Sequence, residues 1–110
     1  MKSLTFKLYS NNKLEIDETS NYFIKDDILN FKIDKDTYKL DLITNNLVKT
    51  NHEYTIDINI AKKLVLIALN GYTFEMNIIN HFVKKDDNNI EIEYTYEGEE
   101  ITNNKIIINY

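Results

Sequence analysis

Asn70-Gly71-Tyr72-Thr73-Phe74-Glu75-Met76-Asn77-Ile78 decides how the rest of this chain is read. It opens on Asn-Gly, the strongest short hairpin signal, because both residues tolerate the positive φ of a type I′ turn. Beyond the turn, Tyr72, Phe74, Met76 and Ile78 alternate with Thr73, Glu75 and Asn77. A period of two places one apolar face inward and one polar face toward water, as in an antiparallel strand. The same rhythm runs outward in both directions. Upstream are Tyr54, Ile56, Ile58 and Ile60; Tyr38, Leu40 and Leu42; Leu29, Phe31 and Ile33; Tyr22-Phe23-Ile24; Leu14 and Ile16; and Leu4, Phe6 and Leu8. Downstream are Ile90, Ile92, Tyr94 and Tyr96, then Ile106 and Ile108.

Between these runs lie short separators, Asn11-Asn12, Asp26-Asp27, Asp34-Lys35-Asp36 and Asn45-Asn46, spaced as in an all-β sandwich or barrel. With only two Gly in the chain, Asn and Asp must supply most left-handed turn residues. One segment reads two ways. Ile60-Ala61-Lys62-Lys63-Leu64-Val65-Leu66-Ile67-Ala68-Leu69 is rich in helix formers, and Ile60, Leu64, Ile67 and Ala68 share a helical face. Its position between two alternating strands favours strand, and the helix alternative stays open. The count comes to eight to ten strands in a single domain spanning residues 1–110, an all-β chain. So much strand needs an architecture without exposed edges, and closure provides one. The expected fold is an antiparallel up-and-down β-barrel, with a two-sheet sandwich as the alternative.

Composition sets what else is expected. The 110 residues fit one domain, and Leu, Ile, Val and Phe make up about a third of them, enough to build a core. There is no Cys, which removes disulfides, thiolate metal ligands and Cys nucleophiles. The stretch Met1 to Tyr9 alternates and lacks the continuous apolar segment of a signal peptide. The longest apolar run, Leu64 to Leu69, is far below the ~20 residues a membrane helix needs. Every basic residue is Lys, and the net charge is −5. An acidic chain without the Arg fork is poorly suited to nucleic acid. No membrane, nucleic-acid or cofactor partner is expected.

With the strands in place, Tyr38-Lys39-Leu40-Asp41-Leu42-Ile43-Thr44, the Asn70–Ile78 hairpin strand, Asn89-Ile90-Glu91-Ile92-Glu93-Tyr94-Thr95-Tyr96-Glu97-Gly98 and Asn104-Lys105-Ile106-Ile107-Ile108-Asn109 fall in a familiar order. Over roughly residues 20–110 the chain resembles the YwiB-like family of small bacterial proteins, a domain of unknown function. That resemblance implies a calycin-like (lipocalin-like) barrel and a cytoplasmic location. It implies no activity. The chain departs from the family in having Thr44 where members commonly carry an Arg, and in being shorter and poorer in Gly, so no role of that Arg is carried over.

The residues carry few signs of catalysis. His52 and His81 stand apart, with no Cys and no second His nearby, and each reads as an ordinary strand-end or loop residue. No Gly-x-Ser-x-Gly elbow or phosphate-cradling glycine loop is present. The acidic cluster Asp86, Asp87, Glu91, Glu93, Glu97, Glu99 and Glu100 alternates with apolar residues over Ile90–Tyr94, as a solvated outer face does. From Asp86 it departs from a calcium loop, with Ile90 at a ligand position and no central Gly. The aromatic residues Phe31, Tyr38, Tyr54, Tyr72, Phe74 and Tyr94 all fall on the apolar face, and are the candidate ligand-binding residues of a barrel mouth. They would equally serve to fill the lumen, and with so few Ala and Gly a mostly filled interior is favoured.

The expected function is therefore non-enzymatic binding of a small apolar ligand at one end of the barrel. The alternative is a protein-interaction module or homodimer using an exposed sheet face, with Ile43, Ile79, Phe82 and Ile107 as its off-register apolar residues.

Overall fold

The computed structural model describes residues 2–98 and 100–110; Met1 and Glu99, the latter part of the acidic cluster, lie outside them. Ten strands follow in chain order: β1 (Ser3–Ser10), β2 (Lys13–Lys25), β3 (Ile28–Ile33), β4 (Asp36–Asp41), β5 (Leu47–Thr50), β6 (Tyr54–Asn59), β7 (Leu64–Leu69), β8 (Tyr72–Asp86), β9 (Asn89–Glu97) and β10 (Ile101–Asn109). Each pairs antiparallel with its neighbour in sequence, and β1 pairs with β10 to close the ring. This is the all-β, up-and-down closed barrel that the alternation predicts. The segment left open resolves as a turn over residues 60–63 followed by β7.

The turns are built as the composition requires. Among the described residues, nine non-Gly positions have positive φ, and eight of them are Asn or Asp. Asn11-Asn12, Asp26-Asp27 and Asn70-Gly71 each place two successive residues there, matching the right-handed twist of the strands they join. Lys63, at φ 57°, is the exception, a side chain with no local hydrogen bond to offer in compensation.

Two strands do more than the others. β2 pairs with β1 through Lys13–Asn21 and with β3 only through Tyr22–Lys25. β8 pairs with β7 through Tyr72–Asn77 and with β9 from Asn77 to Asp86. Both pass from one wall of the barrel to the other, and β8 turns at a bulge between Ile78 and Asn80. Bulges bend strands and increase local twist, which is how sheet corners are made. The sequence reading differs here in two ways. Its separate strands around Leu14 and around Phe23 are one strand, β2, and it passes over β5.

Inward positions form one core. Leu29, Leu40 and Ile108 are fully buried, with Leu4, Phe6, Leu47, Ile90, Ile92 and Ile106 nearly so. Phe6, Phe31 and Tyr38 make a ring cluster with centroids 4.9–5.4 Å apart, and Phe31 and Tyr38 stack in parallel. Such aromatic pairs add about 0.5–1.5 kcal/mol each beyond the area they bury.

Candidate functional site

One end of the barrel is ringed by the turns that follow β1, β3, β5, β7 and β9. Beneath it the lumen holds a cavity of about 100 Å³. β1 and β10 supply one wall through Leu8, Asn104 and Ile106. β5 and β6, opposite them in the ring, supply Lys49 and Ile56, and Tyr38 and Tyr94 bound the cavity between those walls. Larger concavities, such as one of about 720 Å³ over Lys39, Val48 and Asp57, lie on the outer face, where side chains alternate with the core positions.

The cavity wall is apolar with two polar interruptions. The first is Lys49. The alternation of β5 sends Leu47 and Lys49 to the same side, and Leu47 is buried. Lys49 Nζ lies 3.5 Å from Asp36 Oδ2, 5.8 Å from the Tyr38 ring centroid and 5.7 Å from that of Tyr54. Burial by itself would push this ammonium down, but Tyr38, Tyr54 and Asp36 outweigh it and hold Lys49 above its ordinary value, so it is charged at neutral pH. Asp36 is fixed in turn by Asn51, whose Nδ2 donates to Asp36 Oδ1 at 2.7 Å. The cation is thus already matched by a carboxylate and two ring faces.

The second interruption is Asn104, 6% exposed and the single buried polar residue among those described. Its Oδ1 accepts a hydrogen bond from Ser10 Oγ at 2.9 Å. Its Nδ2 is buried and has no hydrogen-bond partner among the described residues. An amide donor in that position carries an uncompensated desolvation cost of about 1–3 kcal/mol. Nearby, burial raises the Tyr94 phenol well above its ordinary value, and burial likewise raises Tyr38 in spite of Lys49. Both are neutral hydroxyls at physiological pH.

The six aromatic candidates separate. Tyr38 and Tyr94 line the cavity; Phe31 is buried behind Tyr38 and shapes the wall without reaching the space. Tyr54 is half-buried at the rim beside Lys49. Tyr72 and Phe74 depart from the expectation of an enclosed mouth, being 70% and 53% exposed. They keep the inward register, paired with Leu69 and Ile67, but the β7–β8 hairpin carries them to the open end of the barrel, where they stay largely exposed. Sequence reasoning missed Lys49, Asn104 and Asp36. The signal for Lys49 and Asn104 was available as a polar residue at an inward position, once the strands holding them were recognised.

The remaining motifs gather no second site. Among the described residues, no three His, Asp or Glu side chains converge as metal ligands, and His52 and His81 are exposed. Glu91 and Glu93 face outward and pair with Lys105 at 3.2 and 3.8 Å. Ile43, Ile79 and Phe82 are exposed, and Ile107 is half-buried. The four do not form one face. Ile43 lies in the β4–β5 turn, while the register puts Glu91 and Glu93 of β9 between Phe82 and Ile107.

No family model matches the chain, and no curated protein does. Among solved structures, the chain is similar to the crystal structure of the ywiB protein from Bacillus subtilis. The TM-score is 0.42 at 11% sequence identity, covering 97% of this chain and 87% of that one. This is the protein type that the sequence resembles.

Proposed function

We propose that this barrel is a non-enzymatic binding protein that takes a small, mainly apolar molecule into the lumen from the end bearing Lys49 and Tyr54. The observation that supports this reading is the cavity of about 100 Å³ between opposite walls of the ring. A single water needs roughly 10–15 Å³ of such space, and a dry apolar cavity of ~150 Å³ accommodates benzene. A lumen packed solely for stability would be filled by its side chains, as small barrels are. Here apolar walls with a few convergent polar groups match the general make-up of ligand pockets, at the small end of their size range. Lys49 and Asp36 neutralise one another at the entrance, which favours uncharged occupants over ions.

Native mass spectrometry of the purified chain, compared with an Ile56→Trp variant, tests the reading. Ile56 lines the cavity, and a Trp there fills it. The expected result is a bound small molecule, or uptake of added cyclopentanone, in the parent chain and its loss in the folded variant. Equal uptake by both would place the binding outside the lumen and refute the proposal.

A further inference from the structure

We infer that two copies of this chain associate through the free edge of β8, strand against antiparallel strand about a twofold axis at Val83. The inference is independent of the lumen and of what it holds. Two long stretches of the ring are paired on one side only. β2 pairs with β1 over Lys13–Asn21 and reaches β3 only from Tyr22, while β8 leaves β7 at Asn77 and continues to Asp86 against β9 alone. Among the described residues, no backbone group outside these ladders bonds to Lys13–Ser20 or to Asn80–Asp86. Such an open edge is a template for another strand unless its side chains prevent it. His81 and Lys85 stand in the inward register opposite Tyr94 and Ile90 yet are exposed, so the β8 edge is open from beneath as well.

The side chains decide which edge joins, and to what. On β2 the ladder shifts between Leu8 and Tyr9, which leaves Glu15 unmatched, and Ser20 Oγ donates to the Lys32 carbonyl. Only Ile16–Thr19 remains regular, and its Asp17 and Glu18 repel a second copy of the same edge. β8 offers seven uninterrupted residues, Asn80–Asp86, centred on Val83. Pairing this segment with itself sets Val83 against Val83, Phe82 against Lys84 on the outer face, His81 against Lys85 on the inner face, and Asn80 against Asp86. No lysine meets a lysine, and no carboxylate meets a carboxylate. Phe82 is 57% exposed, and in the pair its ring receives the Lys84 ammonium of the second copy, a contact made twice per dimer. Lys85 Nζ donates to the Leu42 carbonyl, so that charge is already engaged within its own chain. Opposite charges favour a mixed contact of β8 with β2, but that contact meets the Glu15 bulge and, being head-to-tail, does not close at two. One seven-residue ladder, roughly 24 Å long, buries less than the ~800 Å² per partner of a standard interface, so the dimer is reversible and concentration-dependent.

Sedimentation velocity from micromolar to millimolar concentration, with amide hydrogen exchange at both ends of that range, tests the inference. The expected result is a monomer–dimer equilibrium that stops at two. Exchange should slow with concentration at the outward amides within Asn80–Asp86 and stay unchanged over Lys13–Asn21. Phe82→Lys sets lysine against lysine at both contacts across the axis while facing Glu93 within its own chain, which favours the folded monomer. It should weaken dimerisation about tenfold or more, because the change acts twice. Glu18→Lys on β2 should leave the dimer unchanged. A chain that stays monomeric at millimolar concentration overturns the inference, as does a dimer that Phe82→Lys leaves intact. Growth past two, or association weakened by Glu18→Lys, moves the contact to β2 and overturns it equally. Protection of Asn80–Asp86 at every concentration, with a co-purified peptide in the native mass spectrum, gives the edge to another chain and overturns the second-copy assignment. The exchange pattern of the parent chain is read without any variant, so unprotected Asn80–Asp86 amides in a dimer refute the contact even where Phe82→Lys fails to fold.

Discussion

Asn104→Leu should make this protein more stable. Leu has the branched outline of Asn without its polar atoms, and the cavity beside Asn104 takes up its larger volume. The substitution removes the unpaired Nδ2, whose burial costs about 1–3 kcal/mol. It also removes the acceptor of the Ser10 hydroxyl, a loss of about 0.5–1.5 kcal/mol, moderated because Ser10 is half-buried and its hydroxyl can turn to water. New apolar surface against Tyr94 and Ile106 contributes in the other direction, about 1 kcal/mol or more. The sum is a gain of about 1–3 kcal/mol, which for a domain of this size corresponds to a rise in Tm of roughly 4–12 °C. Urea titration should move the midpoint upward without changing the slope, since the surface exposed on unfolding is nearly the same. A variant less stable than the parent by about 1 kcal/mol would refute the reasoning. It would mean that the amide is well solvated inside the lumen and that the cost assigned to it does not exist.

Three further outcomes follow from the architecture. Leu40→Ala, fully buried between Leu29 and Leu47, should cost about 2–5 kcal/mol, seen as a lower urea midpoint, whereas Ile43→Ala in the exposed turn should stay within about 0.5 kcal/mol. Lys63→Gly should stabilise by about 0.5–1 kcal/mol in thermal melts, because relief of a left-handed side-chain residue exceeds the added chain entropy of Gly. Asp41 Oδ1 accepts from the backbone N–H groups of Ile43 and Thr44 at 2.9 and 3.1 Å. The Thr44 bond first, then that of Ile43, lowers its pKa below the ordinary 3.8. A depressed carboxylate stabilises the fold fully above the ordinary value, and that contribution is lost as pH falls through the folded value. Stability measured against pH should therefore fall less steeply below about pH 4 in Asp41→Asn than in the parent.

Alternation made the walls of this barrel legible because each inward residue is apolar and its neighbours are not. It assigns a face, and says nothing of height along the barrel axis. Tyr72 and Phe74 show the difference. Their register is inward, in line with Met76 and the buried Ile78, yet they stand at the tip of the β7–β8 hairpin. Height depends on strand tilt, on where hairpins end and on how far β8 continues past its neighbour, and these are properties of the closed ring. The bulge of β8 is similarly hidden. Ile78-Ile79-Asn80 reads as the end of a strand, because the rhythm slips there, while in the fold the slip is the corner itself.

The same logic explains why the site was the part least visible. Leu47-Val48-Lys49-Thr50 is short and breaks the pattern with a Lys at an inward position, so it reads as connection between Asn45-Asn46 and Tyr54. Thr102-Asn103-Asn104-Lys105 is polar throughout, so the alternation is seen only from Ile106 onward, though these residues lie within β10. A polar residue at an inward position weakens the strand signal and marks the wall where the lumen is not purely apolar. His81 and Lys85 of β8 also interrupt the inward register, but they lie beyond the pairing with β7, where water reaches them. Only closure distinguishes these cases. It brings β10 opposite β5 across the ring, so that two interruptions 55 positions apart in sequence, Lys49 and Asn104, border one space. In this barrel two failures of alternation mark the wall of the cavity, and their meaning follows from which strands face each other.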